Sequence, residues 1–376
     1  MFVKTFKTGG TTLQNILMRH GDVNNLVFVL FKSSDSLDHK IPFPAHKTPK
    51  LIEGKNYNIL CRHSMYKRTA MASIMPKDTV YITLIRDPVK HFISAFWYYG
   101  YPQAFGIAKQ KHPMGFFVDN LDNPNFKYKF PFNGVLSQLG LHKSVFKDDQ
   151  KLQHSLKQLD KEFELVLITE YFEESLILLK RLLNWRLDEM VYFKMRVQTN
   201  QSEMKLLTPN QQKVIREKRH PVVLLYDYFN KTLWRKISEQ DDTFWDEVRQ
   251  LRNMIQETTT ACVGEGAKSL GAWGGSGAYY KTRNDSAVDT ALCNRLVVAP
   301  IPYTVHLAKK QLPFLADQSI AMFYKFVPRL YWGYSSWSPT SGFFNESRVD
   351  RVCKDSAEER TECLKSLGIP VESIST

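Results

Sequence analysis

Phe2-Val-Lys-Thr-Phe-Lys-Thr-Gly-Gly-Thr-Thr12 opens the chain. FVKTF (2–6) reads as a short strand that runs into a polar turn holding two adjacent glycines. Beyond the turn, Leu13, Ile16 and Leu17 recur at i, i+3 and i+4, which is a helix face. Strand, Gly/Thr turn and helix in this order can cradle a phosphate. Gly9 and Gly10 let the backbone turn tightly, and the amides at the helix start face an anion placed there. Thr8, Thr11 and Thr12 add hydroxyl donors, and Lys7 adds a positive charge. A polar strand–helix loop with a solvated lysine is the plainer alternative, and composition does not separate the two. The loop is not a Walker A motif, whose lysine follows the last glycine. Here Lys7 precedes both glycines, which disfavours a kinase or NTPase without disfavouring a phosphate cradle.

Working outward, NILC (58–61), VYITLI (80–85) and LVLIT (165–169) are further short apolar runs. Asp87-Pro88 reads as a helix N-cap with a first-turn proline. Phe92, Ala95, Phe96 and Tyr99 continue that helix, and a strongly apolar helix is expected from Glu170 to Leu183. Strands alternating with helices predict an α/β fold, a mostly parallel sheet covered on both faces. From about residue 203 the pattern turns helical. Residues 264–278 hold six of the 18 glycines, a density that marks a loop or linker. A helix-like stretch, an aromatic cluster (Phe323 to Trp337) and a polar tail beyond Pro339 follow.

Two more site candidates lie at strand ends, where open α/β sheets put their ligands. Arg86 follows VYITLI, and its guanidinium can fork onto a phosphate. Ser94, seven residues past Asp87, returns to nearly the same helix face. His63 follows NILC, where a neutral imidazole can accept a hydroxyl proton. The plain alternatives are an ion pair for Arg86, an ordinary helix residue for Ser94 and a non-catalytic loop histidine for His63. Among the ten histidines, His91 is the nearest rival, and its place on the helix after Arg86 suggests that it faces solvent or a neighbouring helix.

The 376 residues carry 51 Lys+Arg against 38 Asp+Glu, a net charge of +13. Such a balance suits an anionic ligand. No arginine-rich tract, zinc-finger spacing or RNA-binding signature is present, so nucleic acid is not expected. No segment reaches the roughly 20 apolar residues of a membrane span, and MFVKTFKTGG lacks the apolar region of a signal peptide. Four Asn-x-Ser/Thr triplets, at Asn200, Asn230, Asn284 and Asn345, point instead toward a secretory lumen. Of the five cysteines, Cys262, Cys293, Cys353 and Cys363 can make two disulfides and leave Cys61 over. Five buried thiols in a reducing compartment fit the same spacing. No metal-type cysteine spacing is present, and no motif requires a metal.

Taken together, these pieces resemble the galactose-3-O-sulfotransferase family, which includes galactosylceramide sulfotransferase, within the PAPS-dependent carbohydrate sulfotransferases (PAPS is 3′-phosphoadenylyl sulfate). Lys7-Thr-Gly-Gly-Thr-Thr12 resembles the loop that holds the 5′-phosphosulfate, and Arg86-Asp-Pro88 with Ser94 the 3′-phosphate motif. Lys4 to Leu17, Cys61-Arg-His63, Glu170 to Lys180, Val191 to Lys194 and Tyr228 to Lys236 resemble the family's own segments. Phe6 stands where the family pattern has histidine, and Gly10 where it has serine. The resemblance implies a P-loop-like sheet flanked by helices with a helical C-terminal portion. It implies a sulfotransferase core over 1–262, an extension over 263–338 packed on it, and a tail over 339–376. It further implies sulfuryl transfer from PAPS to a sugar hydroxyl, the galactose 3-OH of a glycolipid or glycoprotein glycan, without a metal. In this reading His63 is the base, Lys7 stabilises the leaving phosphate, and Arg86 and Ser94 hold the 3′-phosphate. The expected partner is a galactose-containing glycan. The expected location is the Golgi lumen, as a type II membrane protein whose N-terminal anchor this chain does not show. Another glycan acceptor such as a glycosaminoglycan, an inactive glycan-binding relative and a P-loop-like nucleotide kinase are the competing readings.

Overall fold

The structure, a computed structural model, describes residues 1–30, 42–124, 132–193, 207–263, 290–298 and 300–316. The glycine-rich stretch 264–278, the aromatic cluster, the tail, Cys353, Cys363 and the triplets at Asn200, Asn284 and Asn345 lie outside these residues. The fold is α/β. Three parallel strands, β1 (Phe2–Val3), β2 (Ile82–Ile85) and β3 (Leu165–Ile168), pair in the order β1-β2-β3. Phe2 lies beside Ile82, and Ile82 beside Leu165. Every residue of the three strands is buried, which is why they read as continuous apolar runs rather than alternating ones. Thr83, the polar exception in β2, donates its hydroxyl to the Val3 carbonyl at 2.8 Å.

Two of the expected strands are shorter or looser than their apolar runs. FVKTF contributes only Phe2–Val3 to the ladder. Past Val3 the chain is already turning into the loop, and the Thr5 hydroxyl bonds the Leu84 carbonyl at 2.6 Å. NILC is extended but forms no strand. The Phe2 amide donates to Leu60 O at 2.7 Å, and a single parallel bridge joins Phe28 to Ile59. This stretch therefore lies along the outer edge of β1.

Helices cover the sheet. Helix α1 (Gly10–Val23) leaves the loop after β1, and α2 (Pro88–Tyr98) follows β2. The Asp87 carboxylate caps α2, accepting from the amides of Val89 at 3.0 Å and Lys90 at 2.9 Å. Helix α3 (Asp149–Glu162) precedes β3, and α4 (Phe172–Leu183) follows it after a 3-10 turn at Thr169–Tyr171. Then come α5 (Pro209–Lys218), α6 (His220–Ser238) and α7 (Thr243–Cys262). Helices α8 (Thr290–Val297) and α9 (Pro300–Gln311) return to pack on α1. A Cys262–Cys293 disulfide ties α7 to α8, with Cα atoms 5.3 Å apart, and Cys61 is buried and takes no part in a disulfide. The expected bridge among the late cysteines is thus present. Among the described residues no helix is long and apolar enough to cross a membrane.

Helix α1 sits close to the sheet edge because Gly21 lets it. A Cβ there would come within 2.3 Å of the Phe28 ring and 2.9 Å of Ile59 Cδ1. Both neighbours are buried in the main core, so neither ring nor branch has room to retreat. Gly21→Ala is expected to destabilise the protein by about 1–3 kcal/mol through overpacking, read as a lowered thermal midpoint.

Candidate functional site

The loop between β1 and α1 is a strained turn held from outside. Lys7 has φ 62°, and Gly9, the N-cap of α1, has φ 82°. A lysine in the left-handed region costs free energy that the surroundings must offset. They do so through the loop's carbonyls. Lys4 O accepts from His63 Nδ1 at 2.9 Å. Phe6 O accepts from His91 Nε2 at 2.9 Å. Lys7 O accepts from Arg86 Nη1 at 3.3 Å. Thr8 O and Ile85 O share the Thr169 hydroxyl, at 2.5 and 2.9 Å. Four carbonyls of a five-residue stretch are therefore tied to side chains from four other segments. With its carbonyls turned outward and α1 beginning at Gly10, the loop presents the positive end of the helix at the C-terminal edge of the sheet.

Beneath the loop lies a buried polar layer. The Lys4 ammonium bonds Gln14 Oε1 at 2.5 Å, and the Phe6 amide donates to Gln138 Oε1 at 2.8 Å. Both Lys4 and Gln14 are buried. Gly10 makes room for Lys4, since a Cβ at that position would lie 3.1 Å from Lys4 Cγ. Thr8 is fully buried, and its hydroxyl faces Thr5, 3.0 Å from Thr5 Oγ1. Of the threonines expected to offer hydroxyls, Thr8 thus turns its own inward and leaves only its backbone to the loop. Thr12 is buried and Thr11 half-buried.

Lys7, Arg86 and His63 surround this turn. The Lys7 ammonium stands 3.5 Å from the centroid of Tyr98, at the end of α2. Arg86 is half-buried, and its Nε is a buried donor with no hydrogen-bond acceptor. Such an orphan costs stability unless a ligand completes it, and an anionic oxygen is the natural partner. Burial lowers the Arg86 pKa, and burial likewise raises that of Glu170. Glu170 accepts the Asp87 amide at 2.9 Å, and Asp87 in turn pairs with Arg216 at 2.8 Å. Ser94 is buried two turns into α2. His63 stacks on Phe6 at 4.0 Å between ring centroids and 8° between planes. Because Nδ1 donates to a carbonyl, the basic lone pair of a neutral His63 is on Nε2.

Of the two directions expected for His91, solvent or a neighbouring helix, it takes the second, at the junction of α5 and α6. It joins the loop to a buried arginine. Arg219 Nη2 donates to His91 Nδ1 at 2.9 Å, while Nε2–H donates to Phe6 O. An arginine can only donate, so this geometry sets a neutral imidazole with both nitrogens used. Arg219 also donates to the carbonyls of Phe132 and Pro88. Helical position alone does not reveal His91, Arg219, Gln138 or Thr169. Thr169 alone carries a signal in the sequence, a hydroxyl residue at the C-terminal end of an apolar strand.

The loop thus sets a helix start and an oriented imidazole side by side on the C-terminal edge of a parallel sheet, an arrangement that can receive an anion. The chain matches the galactose-3-O-sulfotransferase family over residues 1–273 and belongs to it. Among curated relatives, galactose-3-O-sulfotransferase 2 of Sus scrofa is 30% identical over 83% of this chain and 84% of its own length. Galactose-3-O-sulfotransferase 3 of Mus musculus is 29% identical over 82% of this chain and 77% of its own. Human galactosylceramide sulfotransferase is 29% identical over 71% and 64%. No solved structure matches the chain.

The His91 bridge predicts an acid-sensitive fold. Burial, and next the Arg219 guanidinium, hold this imidazole well below its ordinary range. The unfolded chain therefore takes up a proton at a pH where folded His91 does not. Stability from this group is complete above about pH 6.5 and declines as pH falls below that value. His91→Gln, which cannot titrate, should flatten the fall in thermal midpoint between neutral and acidic pH relative to wild type.

Proposed function

We propose that this chain moves a sulfuryl group from PAPS to the 3-OH of a galactose on a glycolipid or glycoprotein glycan. The observation that carries the reading is the family match, which spans the whole unit from the loop through β3. The loop geometry supports it. A left-handed turn before a helix start, with its carbonyls tied outward, is P-loop-like and suits the 5′-phosphosulfate, with the backbone of Thr8, Gly9, Gly10, Thr11 and Thr12 around it. The orphaned Arg86 Nε suits the 3′-phosphate, with Ser94 as the partner that the family motif implies.

In this mechanism His63 Nε2 takes the proton of the acceptor hydroxyl. The acceptor oxygen forms its bond to sulfur as the bond from sulfur to the bridging phosphate oxygen breaks in line. 3′-Phosphoadenosine 5′-phosphate leaves, and Lys7 neutralises the charge that builds on its oxygen. Before the donor arrives, the Tyr98 ring holds the Lys7 ammonium at the mouth of the loop by a cation–π contact. Catalysis consists of positioning and charge stabilisation, and none of these steps calls on a metal. The compartment reading is a Golgi lumen. There, Asn230 is a poor glycan acceptor, since it lies within α6 with a buried side-chain oxygen.

Three variants test the assignment. Lys7→Ala and Arg86→Ala each remove a charge-assisted contact worth roughly 1.5–3 kcal/mol, about ten- to a hundred-fold in donor use. Arg86→Ala should act on PAPS affinity, and Lys7→Ala on turnover as well. His63→Ala should lower turnover by about 10²–10⁴-fold while PAPS still binds. Labelled-sulfate transfer to galactolipid, galactose-ended oligosaccharide and glycosaminoglycan panels, with linkage analysis, reads activity and acceptor together. Wild-type turnover in all three variants would remove the site, and product only on glycosaminoglycan would remove the galactose acceptor. For the compartment, the protein expressed with its natural upstream region in animal cells should shift in mobility on glycosidase treatment. An unchanged mobility would argue against the lumen.

A further inference from the structure

Asn15 belongs to the opening motif, yet the reaction described above gives it no task. It is buried in α1, five residues past the helix start. Its Nδ2 donates to the carbonyls of Arg295 at 3.0 Å and Val298 at 3.3 Å, across some 280 residues of chain. Its Oδ1 accepts from Arg19 Nε at 3.1 Å, and Arg19 reaches on to the carbonyls of Glu189 and Val191. One helical turn past Arg19, Asp22 pairs with Lys310 at 2.7 Å and His306 at 3.2 Å and accepts from the Tyr303 hydroxyl at 3.1 Å. Residues 15, 19 and 22 are spaced as one helix face. That face of the helix carrying the phosphate loop is polar, buried and bonded to α8, α9 and the 189–191 segment.

The partners in α8 and α9 lie past residue 273, where the family match ends. A covalent link also holds them. Cys293 of α8 is bridged to Cys262 at the end of α7, and both cysteines are buried in a small apolar cluster with Phe193 and Leu296. Gln311 at the end of α9 closes the far side, accepting the Phe28 amide at 3.0 Å and donating to the Phe28 carbonyl at 2.9 Å.

We infer that α8 and α9 are a brace that sets the axial position of α1, and with it the donor affinity of the phosphate loop, and that Asn15 is the positioning residue through which the brace acts. The inference rests on the donor site proposed above. A helix is stiff along its axis, so a displacement at Asn15 is carried to the Gly10 end one to two turns away. Anion binding at a helix start depends on amides aimed at a fixed point. An N-terminus displaced by a fraction of an ångström would still fold but would hold the phosphosulfate less well.

The test uses the full chain. Asn15→Ala removes both carbonyl contacts. Cys262→Ser/Cys293→Ser removes the covalent tie, and Lys310→Met loosens the exposed end of the Asp22 network while leaving the core intact. Donor KM, acceptor KM and PAPS affinity by calorimetry are measured well below each variant's thermal midpoint. Asn15→Ala should raise donor KM about ten-fold, the scale of losing buried hydrogen bonds, with acceptor KM unchanged. The cysteine variant and Lys310→Met should change the same parameter in the same direction. Combining Asn15→Ala with the cysteine pair should raise donor KM less than the product of the separate effects, because both act through one contact. Lower thermal midpoints with unchanged donor KM would overturn the inference and leave the region a stabilising one. Arg86→Ala is the control. If it too binds PAPS normally, the donor site itself is wrong. If it loses PAPS while the brace variants do not, only the brace is wrong.

Discussion

The carbonyls of the loop after β1 govern this structure. A backbone that passes through the left-handed region at Lys7 and again at Gly9 does not hold itself. Each peptide group must be satisfied, and in this loop the carbonyl acceptors are met by side chains rather than by a ladder. His63, His91, Arg86 and Thr169 come from the stretch after NILC, from α2, from the end of β2 and from the end of β3. Strand register decides whether those residues arrive. Ile85 lies beside Ile168, so the residues that follow both strands emerge together at the loop.

The same economy explains why so many charged groups lie inside. Lys4, Arg19 and Arg219 are buried and bonded to amide or carbonyl oxygens, with His91 as a further acceptor for Arg219. Burial lowers the pKa of Arg19 to about 10 and of Arg219 to about 9. These cations are not isolated in apolar surroundings. Arg19 and Arg219 donate to backbone carbonyls, and Lys4 to a side-chain amide.

Two histidines at one loop illustrate how contact decides role. Both bond a loop carbonyl. His63 does so through Nδ1, which leaves Nε2 as the basic atom, and it stacks on Phe6. His91 has its second nitrogen engaged by Arg219. Imidazole chemistry is the same in both, and the Arg219 contact suits His91 to holding the turn. Phe6 supplies the stacking face for His63.

The local parts were legible in the chain because they depend on near neighbours. The β1 turn with Gly9 and Gly10, the Asp87-Pro88 cap and the apolar runs of β2 and β3 follow from spacing and residue type, and the family segments from resemblance. FVKTF and NILC give less to the ladder than their composition suggests, since apolar character says that a run is buried and not that it finds a ladder partner. Tertiary structure alone decided the rest. It turned the Thr8 hydroxyl inward, joined His91 to Arg219 and brought Asn15 to Arg295 across the length of the chain. The last two are hydrogen bonds between residues far apart in sequence, and periodicity carries no information about which distant group a buried side chain will meet.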